Sequence, residues 1–148
     1  MLYEYYLQAH LNQDFQEVST ESVLAIFKDY ITAREASYID LEFEEGNSCT
    51  IYMDTTNLMT TGFVISRPCY SRRFGECLYE VMLLGNFVFF EPDGKAPIII
   101  SPAAEEHLPI DMVESLGKPA IGKSKESFLE LYSNNRKKRG TVFEPVND

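Results

Sequence analysis

The sequence is poor in the residues that carry the commonest kinds of site chemistry. It has three cysteines, two histidines and no tryptophan among 148 residues. No Cys-x-x-Cys or His-x-x-x-His spacing occurs, so none of the usual zinc sites is predicted. The eight glycines form neither a Walker loop nor a dinucleotide-binding loop. We therefore predict no metal and no cofactor.

Long apolar runs are also lacking. Runs such as Val81–Leu84 and Phe87–Phe90 are far shorter than the roughly 20 residues that a membrane-spanning helix needs. The first residues, Met1–Tyr6, carry no basic segment of the kind that begins a secretory signal. Because three cysteines do not suit a disulfide framework, a reducing compartment is expected. These observations predict a cytoplasmic protein that does not associate with a membrane.

Each cysteine can be read as a core residue or as a nucleophile. Cys77 lies on the apolar stripe of a predicted helix and Cys49 points inward on a predicted strand, so both are expected in the core. Cys69 follows a proline in a predicted turn and is expected to be exposed. An enzyme would need a pocket that joins Cys69 or a histidine, His10 or His107, to a carboxylate, and no motif places them together. We predict no catalytic residues and no enzyme.

Apolar and aromatic side chains are plentiful, at 45% hydrophobic residues with ten phenylalanines and nine tyrosines. The first helix is predicted to be capped by Ser19 or Thr20 and to present an apolar stripe as far as Ile31. The second is capped by Ser71 and ends before Gly85, and a last helix follows Ser124. Shorter helical turns are expected around 102–116. Strands are expected at 2–9, 39–43, 49–53, 63–66, 87–90, 97–100 and 119–121.

These elements predict an α+β fold. We expect a mostly antiparallel sheet of five to six strands, with three to four helices packed mainly on one face. Residues 1–135 would form a single domain, and residues 136–148 a polar, loose tail.

Acidic side chains are concentrated in one half of the chain, whose formal net charge is −10. Residues 1–66 hold 11 acids and two bases, a net of −9, whereas residues 67–148 have a net of −1. Phosphates would be repelled by the first half, so nucleic acid is not predicted as a partner. A basic protein would be attracted, although acidity that only keeps a protein soluble gives the same totals.

The predicted hairpin at 39–53 carries acids and tyrosines on its polar side. Ile39, Leu41 and Phe43 alternate with acidic residues, which is the pattern of a half-buried strand. A solvated sheet face explains the acids alone, but tyrosines among charges are typical of interfaces. The predicted partner-binding residues are Tyr38, Asp40, Glu42, Glu44, Glu45, Tyr52 and Asp54.

Residues 65–117, a little over a third of the chain, resemble small immunity proteins of bacterial polymorphic-toxin and contact-dependent growth inhibition systems. The similar segments are Ile65–Cys69, Leu83–Asn86, His107–Met112 and Leu116–Pro119. The resemblance implies a bacterial cytoplasmic inhibitor that binds one cognate toxin domain. Toxin domains of this kind are often basic nucleases, which an acidic inhibitor fits. No contact residue carries over, because the shared segments are structural.

The sequence thus predicts an immunity protein that neutralises a toxin domain through an acidic surface. The alternative is a non-catalytic adaptor or regulatory domain with another partner, including a second copy of itself in a homodimer.

Overall fold

The computed structural model describes residues 4–44, 46–67, 69, 71–91 and 96–138. Its strands are β1 (Glu4–Leu11), β2 (Asp14–Phe15), β3 (Val18–Ser19), β4 (Ile31–Glu35), β5 (Tyr38–Glu44), β6 (Asn47–Tyr52), β7 (Met59–Thr60), β8 (Gly62–Ser66), β9 (Phe87–Phe90), β10 (Ile98–Ile99) and β11 (Ala120–Ile121). Its α-helices are α1 (Thr20–Phe27), α2 (Arg72–Met82), α3 (Pro102–Glu105), α4 (Ile110–Leu116) and α5 (Lys125–Lys138), and a 3₁₀ turn spans Lys28–Tyr30.

The main sheet has the strand order β11-β10-β9-β1-β8-β6-β5-β4, with β2 added to the end of β1. Its neighbours are antiparallel except β10 and β11, which are parallel. A separate pair is formed by β3 and β7. The predicted α+β class is therefore confirmed, but the sheet is larger than five to six strands and is mixed, and the described residues form five α-helices rather than three to four. The additional strands are short or lie at edges, where pairing rather than sequence pattern defines them.

Helices cover both faces of the sheet, unequally. The larger core lies under α1, α2 and α5, which bury Phe27, Phe74 and Phe128 against the sheet. On β9, Phe87 and Phe89 point into this core, so Val88 points to the opposite face. There it packs with residues of β10, α3 and α4 in a smaller cluster. The remaining part of that second face is called the open face below.

The second helix follows its sequence closely. The Ser71 hydroxyl accepts a hydrogen bond from the Phe74 amide at 3.1 Å, which caps the first turn. The whole predicted stripe is buried: Phe74, Cys77, Leu78, Val81 and Met82.

The first helix is shorter than predicted. It is capped by Ser19, as expected, but it ends at Phe27. Ile31 instead begins β4 and pairs with Leu41 of β5. The apolar spacing suggests a continuous helix. In the structure Tyr30 lies in the 3₁₀ turn and Ile31 lies in β4, and both still pack against the core. Pairing with β5 supplies the backbone hydrogen bonds that a longer helix would have made.

All three cysteines are buried and none forms a disulfide, which confirms the core positions of Cys49 and Cys77. Burial raises the pKa of the Cys77 thiol to about 12, so it is not a ready nucleophile. The expectation that Cys69 is exposed is wrong, because its side chain is 1% exposed. Its Sγ donates to the Asn47 carbonyl oxygen, 3.6 Å away, and so closes the start of β6.

The last helix continues through Lys138, so the first residues of the predicted tail are helical. Residues 139–148 lie outside the described residues. Within the described part of the chain, no helix combines the length and apolar character that crossing a membrane requires.

His10, near the end of β1, is buried with a relative exposure of 2%, and neither ring nitrogen has a hydrogen-bond partner of normal geometry. The Phe15 ring stacks on it, with centroids 5.2 Å apart. Burial lowers the pKa of His10 and outweighs the opposing influence of Asp14. The folded protein therefore holds this imidazole neutral.

We predict that His10 makes the protein sensitive to mild acid. Its folded pKa lies below the unfolded value of about 6.5, so the unfolded chain binds the proton more readily and stability falls as pH drops through that window. His10→Phe should flatten the stability change between pH 7.5 and about 5.5, measured by urea unfolding at each pH. An equal loss of stability in the wild type and the variant over this range would contradict the prediction.

Candidate functional site

The open face carries a row of aromatic and apolar side chains that crosses five strands. Cross-strand pairing joins Tyr38 to Tyr52, Tyr52 to Val64, Val64 to Tyr6, and Tyr6 to Phe90. Directly paired residues point to the same face of a sheet, so these five form one continuous stripe, called the aromatic row. It runs from the edge of α3 and α4 toward the opposite end of the sheet.

Ring packing fixes the geometry of the aromatic row at both ends. Tyr38 and Tyr52 have centroids 6.2 Å apart at 59°, and Tyr52 is 48% exposed. Tyr6 and Phe90 are stacked 5.1 Å apart. The Tyr6 hydroxyl donates to the Glu4 carboxylate at 3.1 Å, and burial together with this carboxylate raises the pKa of Tyr6. The rings are thus held in place before any partner arrives.

Four acids flank the aromatic row on the same face. The next row of paired residues runs from Asp40 through Thr50 and Ser66 to Glu4. Glu42 lies two residues beyond Asp40, and Glu35 pairs directly with Tyr38. The acidic set is Glu4, Glu35, Asp40 and Glu42.

Asp40 is positioned by a hydroxyl on the neighbouring strand. Thr50 Oγ1 donates to Asp40 Oδ1 at 2.7 Å, and Asp40 is half-buried. A hydrogen bond to a carboxylate is shorter and stronger than one between neutral groups. Asp40 therefore presents its second oxygen in a fixed direction.

A shallow depression of about 320 Å³ lies beside Asp40 and Glu42. Its wall includes hydroxyls of Ser48 and Thr50 and the side chain of Arg67. Arg67 has φ of 53°, a conformation that long side chains seldom adopt. This base partly offsets the acids, but no ion pair within 4.0 Å joins it to Asp40 or Glu42. The depression suits hydrogen bonds to a partner's polar side chain.

The ion pairs recorded for the described residues lie elsewhere. Arg34 binds Glu21, while the arginines at the start of α2 bind acids of α2 and α5. None of these pairs includes a member of the acidic set. The negative charge of the open face is therefore available to a second molecule.

The structure brings together some of the predicted partner-binding residues and separates others. Tyr38, Asp40, Glu42 and Tyr52 share the open face, as the alternation predicts. A bulge between Glu42 and Glu44 breaks the alternation. Glu44 consequently lines a different depression, with Tyr30, Phe43 and the arginines of α2. Glu45 lies outside the described residues.

Asp54 is exposed, but its carboxylate accepts hydrogen bonds that stabilise a turn. Its Oδ1 accepts hydrogen bonds from the amide and hydroxyl of Thr56, at 2.9 and 2.7 Å, and its Oδ2 accepts from the Asn57 side chain at 2.9 Å. These bonds, chiefly those from Thr56, lower the pKa of Asp54. Asp54 closes the loop after β6 and is a weaker candidate for partner contact than Asp40 or Glu42.

The residues that sequence reasoning missed are Glu4, Tyr6, Glu35, Val64, Arg67 and Phe90. The alternation of each strand predicts which of its residues share a face. It does not predict that β1 lies between β8 and β9, which is what places Tyr6 beside Val64 and Phe90.

Cys69, His10 and His107 are the candidate nucleophile and bases of the sequence. The structure does not bring Cys69 together with either histidine. Cys69 is buried beside the start of β6. His107 accepts a hydrogen bond from the Asn12 amide at 2.9 Å, just beyond β1. Because β1 and β6 are both antiparallel to β8, the end of β1 and the start of β6 lie at opposite ends of the sheet. Within the described ranges, no three metal-ligating side chains form a cluster.

Comparisons with protein-family models, with curated proteins and with solved structures find no match to this chain.

We predict a measurable coupling between Thr50 and Asp40. Thr50→Val keeps the β-branched shape but removes the hydroxyl, and should lower the free energy of unfolding by about 1–2 kcal/mol because a half-buried carboxylate loses its donor. A double-mutant cycle with Asp40→Ala, measured by urea unfolding, should show the two losses to be non-additive. Ser48→Ala, an exposed hydroxyl on the same face, is the control and should change stability little. Additive effects in the cycle would show that the bond does not position Asp40.

Proposed function

We propose that this chain is an inhibitor that binds and neutralises the toxic domain of a bacterial toxin, docking it on the open face. One observation carries the proposal: a preorganised aromatic row lies beside acids that form no ion pair with the bases of the described residues. The resemblance of residues 65–117 to immunity proteins supports the choice of a toxin as partner.

The composition of the open face supports protein docking. Tyrosines are enriched in binding hot spots, because a rigid ring buries a large area and its hydroxyl can still form a hydrogen bond. Tyr52 is accessible, and Tyr38 packs behind it. A partner that covers this pair would remove apolar surface from water without first having to order the rings.

The acidic set supports a basic partner. A nuclease domain must hold phosphates and therefore has a positively charged surface. Glu35, Asp40 and Glu42 lie around the tyrosine pair and would attract such a surface during approach. After contact, Asp40 and Glu42 can accept hydrogen bonds from Lys or Arg side chains. The acids would then speed association, and the tyrosines would slow dissociation.

Inhibition in this scheme requires no chemistry from the inhibitor. It follows if the bound surface of the toxin includes, or lies beside, the groove that holds its substrate. Inhibition would then last as long as the complex, so a slow dissociation rate is the property that protects the cell.

The proposal predicts that the acids mainly affect the association rate constant and the tyrosines mainly affect the dissociation rate constant. The partner to test is the product of the gene next to this one, co-purified with the chain. Asp40→Lys with Glu42→Lys should lower the association rate constant at least about tenfold at low ionic strength, with a smaller effect in about 0.5 M salt. Tyr52→Ala should mainly raise the dissociation rate constant. Surface plasmon resonance across a salt series measures both.

Two matched variants control this experiment. Glu106→Lys with Glu114→Lys makes the same change in net charge at exposed positions near and on α4. Glu44→Lys changes a charge on β5 that faces the arginines of α2 instead. Both controls should associate almost as fast as the wild type. If the adjacent gene product binds and the cell is protected equally with every variant, the open face is not the docking surface. A partner that is not toxic would favour the adaptor alternative.

A further inference from the structure

A second surface of unusual composition lies at one end of the domain. Among the large apolar side chains of the described residues, eight are exposed, and six of these belong to three segments, 11–21, 54–62 and 83–86. Their exposure ranges from 38% to 84%. We call this set the apolar end, and its members are Leu11, Phe15, Leu58, Met59, Leu83 and Leu84.

The fold brings the three segments together through backbone contacts. Met59 pairs with Ser19, and the Thr20 amide donates to the Leu58 carbonyl oxygen at 3.0 Å. These contacts join the second segment to the first.

The third segment, which follows α2, is joined to the first by a side chain. The Asn86 amide donates to Gln16 Oε1 at 2.7 Å, and the His10 amide donates to the Asn86 carbonyl oxygen at 3.1 Å. Gly85 faces Gln16 and Val18 so closely that an added Cβ would lie 2.7 Å from the Gln16 oxygen. Leu83 and Leu84 therefore lie next to the 11–21 segment, which carries Phe15.

The exposed members of the apolar end are not needed for the core. Leu58 is 84% exposed and Leu83 is 60% exposed, so neither gains much stability from burial within the chain. Single exposed apolar residues are ordinary, but several on segments that are bonded to one another are typical of an interaction site.

The charges carried by the three segments themselves all have one sign, although Arg34 of β4 reaches Glu21 and the Thr55 carbonyl oxygen. The three segments contain Asp14, Glu17, Glu21 and Asp54 and no lysine or arginine. Glu21 is paired with Arg34, while Asp14 and Glu17 are exposed beside Phe15. An occupant must therefore supply apolar side chains and positive charge together.

We infer that the apolar end is a docking surface for a basic amphipathic helix, in which lysines or arginines flank an apolar stripe. The apolar stripe would cover Leu11, Leu58 and Leu83, and its flanking cations would meet Asp14 and Glu17. A second copy of this chain fits poorly, because it would bring the same acids face to face. An anionic membrane surface is repelled for the same reason. The inference does not depend on the proposed function of the open face.

The test uses the full chain and a defined probe, a helical peptide of about 14 residues with leucines on one face and lysines on the other. NMR shifts of backbone amides should change in residues 11–21, 54–62 and 83–86. The Leu58→Ser, Leu83→Ser double variant should weaken binding at least about tenfold, since two buried apolar contacts are lost. Ile110→Ser, at a position 58% exposed on α4, is the matched control and should bind like the wild type.

Two further peptides test separately whether binding needs the positive charge and whether it needs the apolar side chains. Replacing the leucines by serine, or the lysines by glutamate, should abolish binding at the apolar end. Binding that maps to other residues, or that survives the Leu58→Ser, Leu83→Ser change, would overturn the inference. So would self-association of the wild type in sedimentation experiments that the double variant loses, because the occupant would then be a second copy. Preferential binding to anionic vesicles over the lysine peptide would likewise overturn it.

Discussion

The pairing of β1 with both β8 and β9 is the interaction on which the rest of the structure depends. Because β1 lies between them, it joins the strands that carry the open-face acids to the strands that support α3 and α4. This pairing requires Gly62, whose φ is +150° and where an added Cβ would lie 2.1 Å from the Leu7 carbonyl oxygen. The aromatic row exists only because Tyr6 is held at this central position.

The two faces of the sheet have different roles. One face is covered by α1, α2 and α5, and its apolar residues pack with theirs to form the larger core. The other is covered only in part, and there the same alternation presents tyrosines, hydroxyls and carboxylates. The stability of the chain and its proposed recognition of a partner therefore depend on different residues of the same strands. Surface substitutions on the open face can change binding while the core stays intact.

The local pattern of the sequence predicts α2 and the β5–β6 hairpin well, because both have a strict period and clear caps or turns. It does not predict β4, whose Ile31 also fits the end of a helix, or the parallel pairing of β10 with β11. At the candidate site, alternation places Asp40 and Tyr52 correctly. The bulge that redirects Glu44 and the left-handed backbone of Arg67 arise from tertiary contacts, which leave no periodic signal.

The central place of β1 also has a consequence for how the molecule moves in an electric field. Strands from the half with a net charge of −9 lie on one side of β1, and strands from the half with a net charge of −1 lie on the other. The charge is therefore uneven across the sheet, although Arg67, Arg72 and Arg73 of the second half lie beside β5. A charged molecule several Debye lengths away is screened from this field, but one that is nearer exerts a torque on the uneven charge. If the chain docks a basic partner as proposed, this torque would turn it before contact, so that the first collision already involves the acidic side.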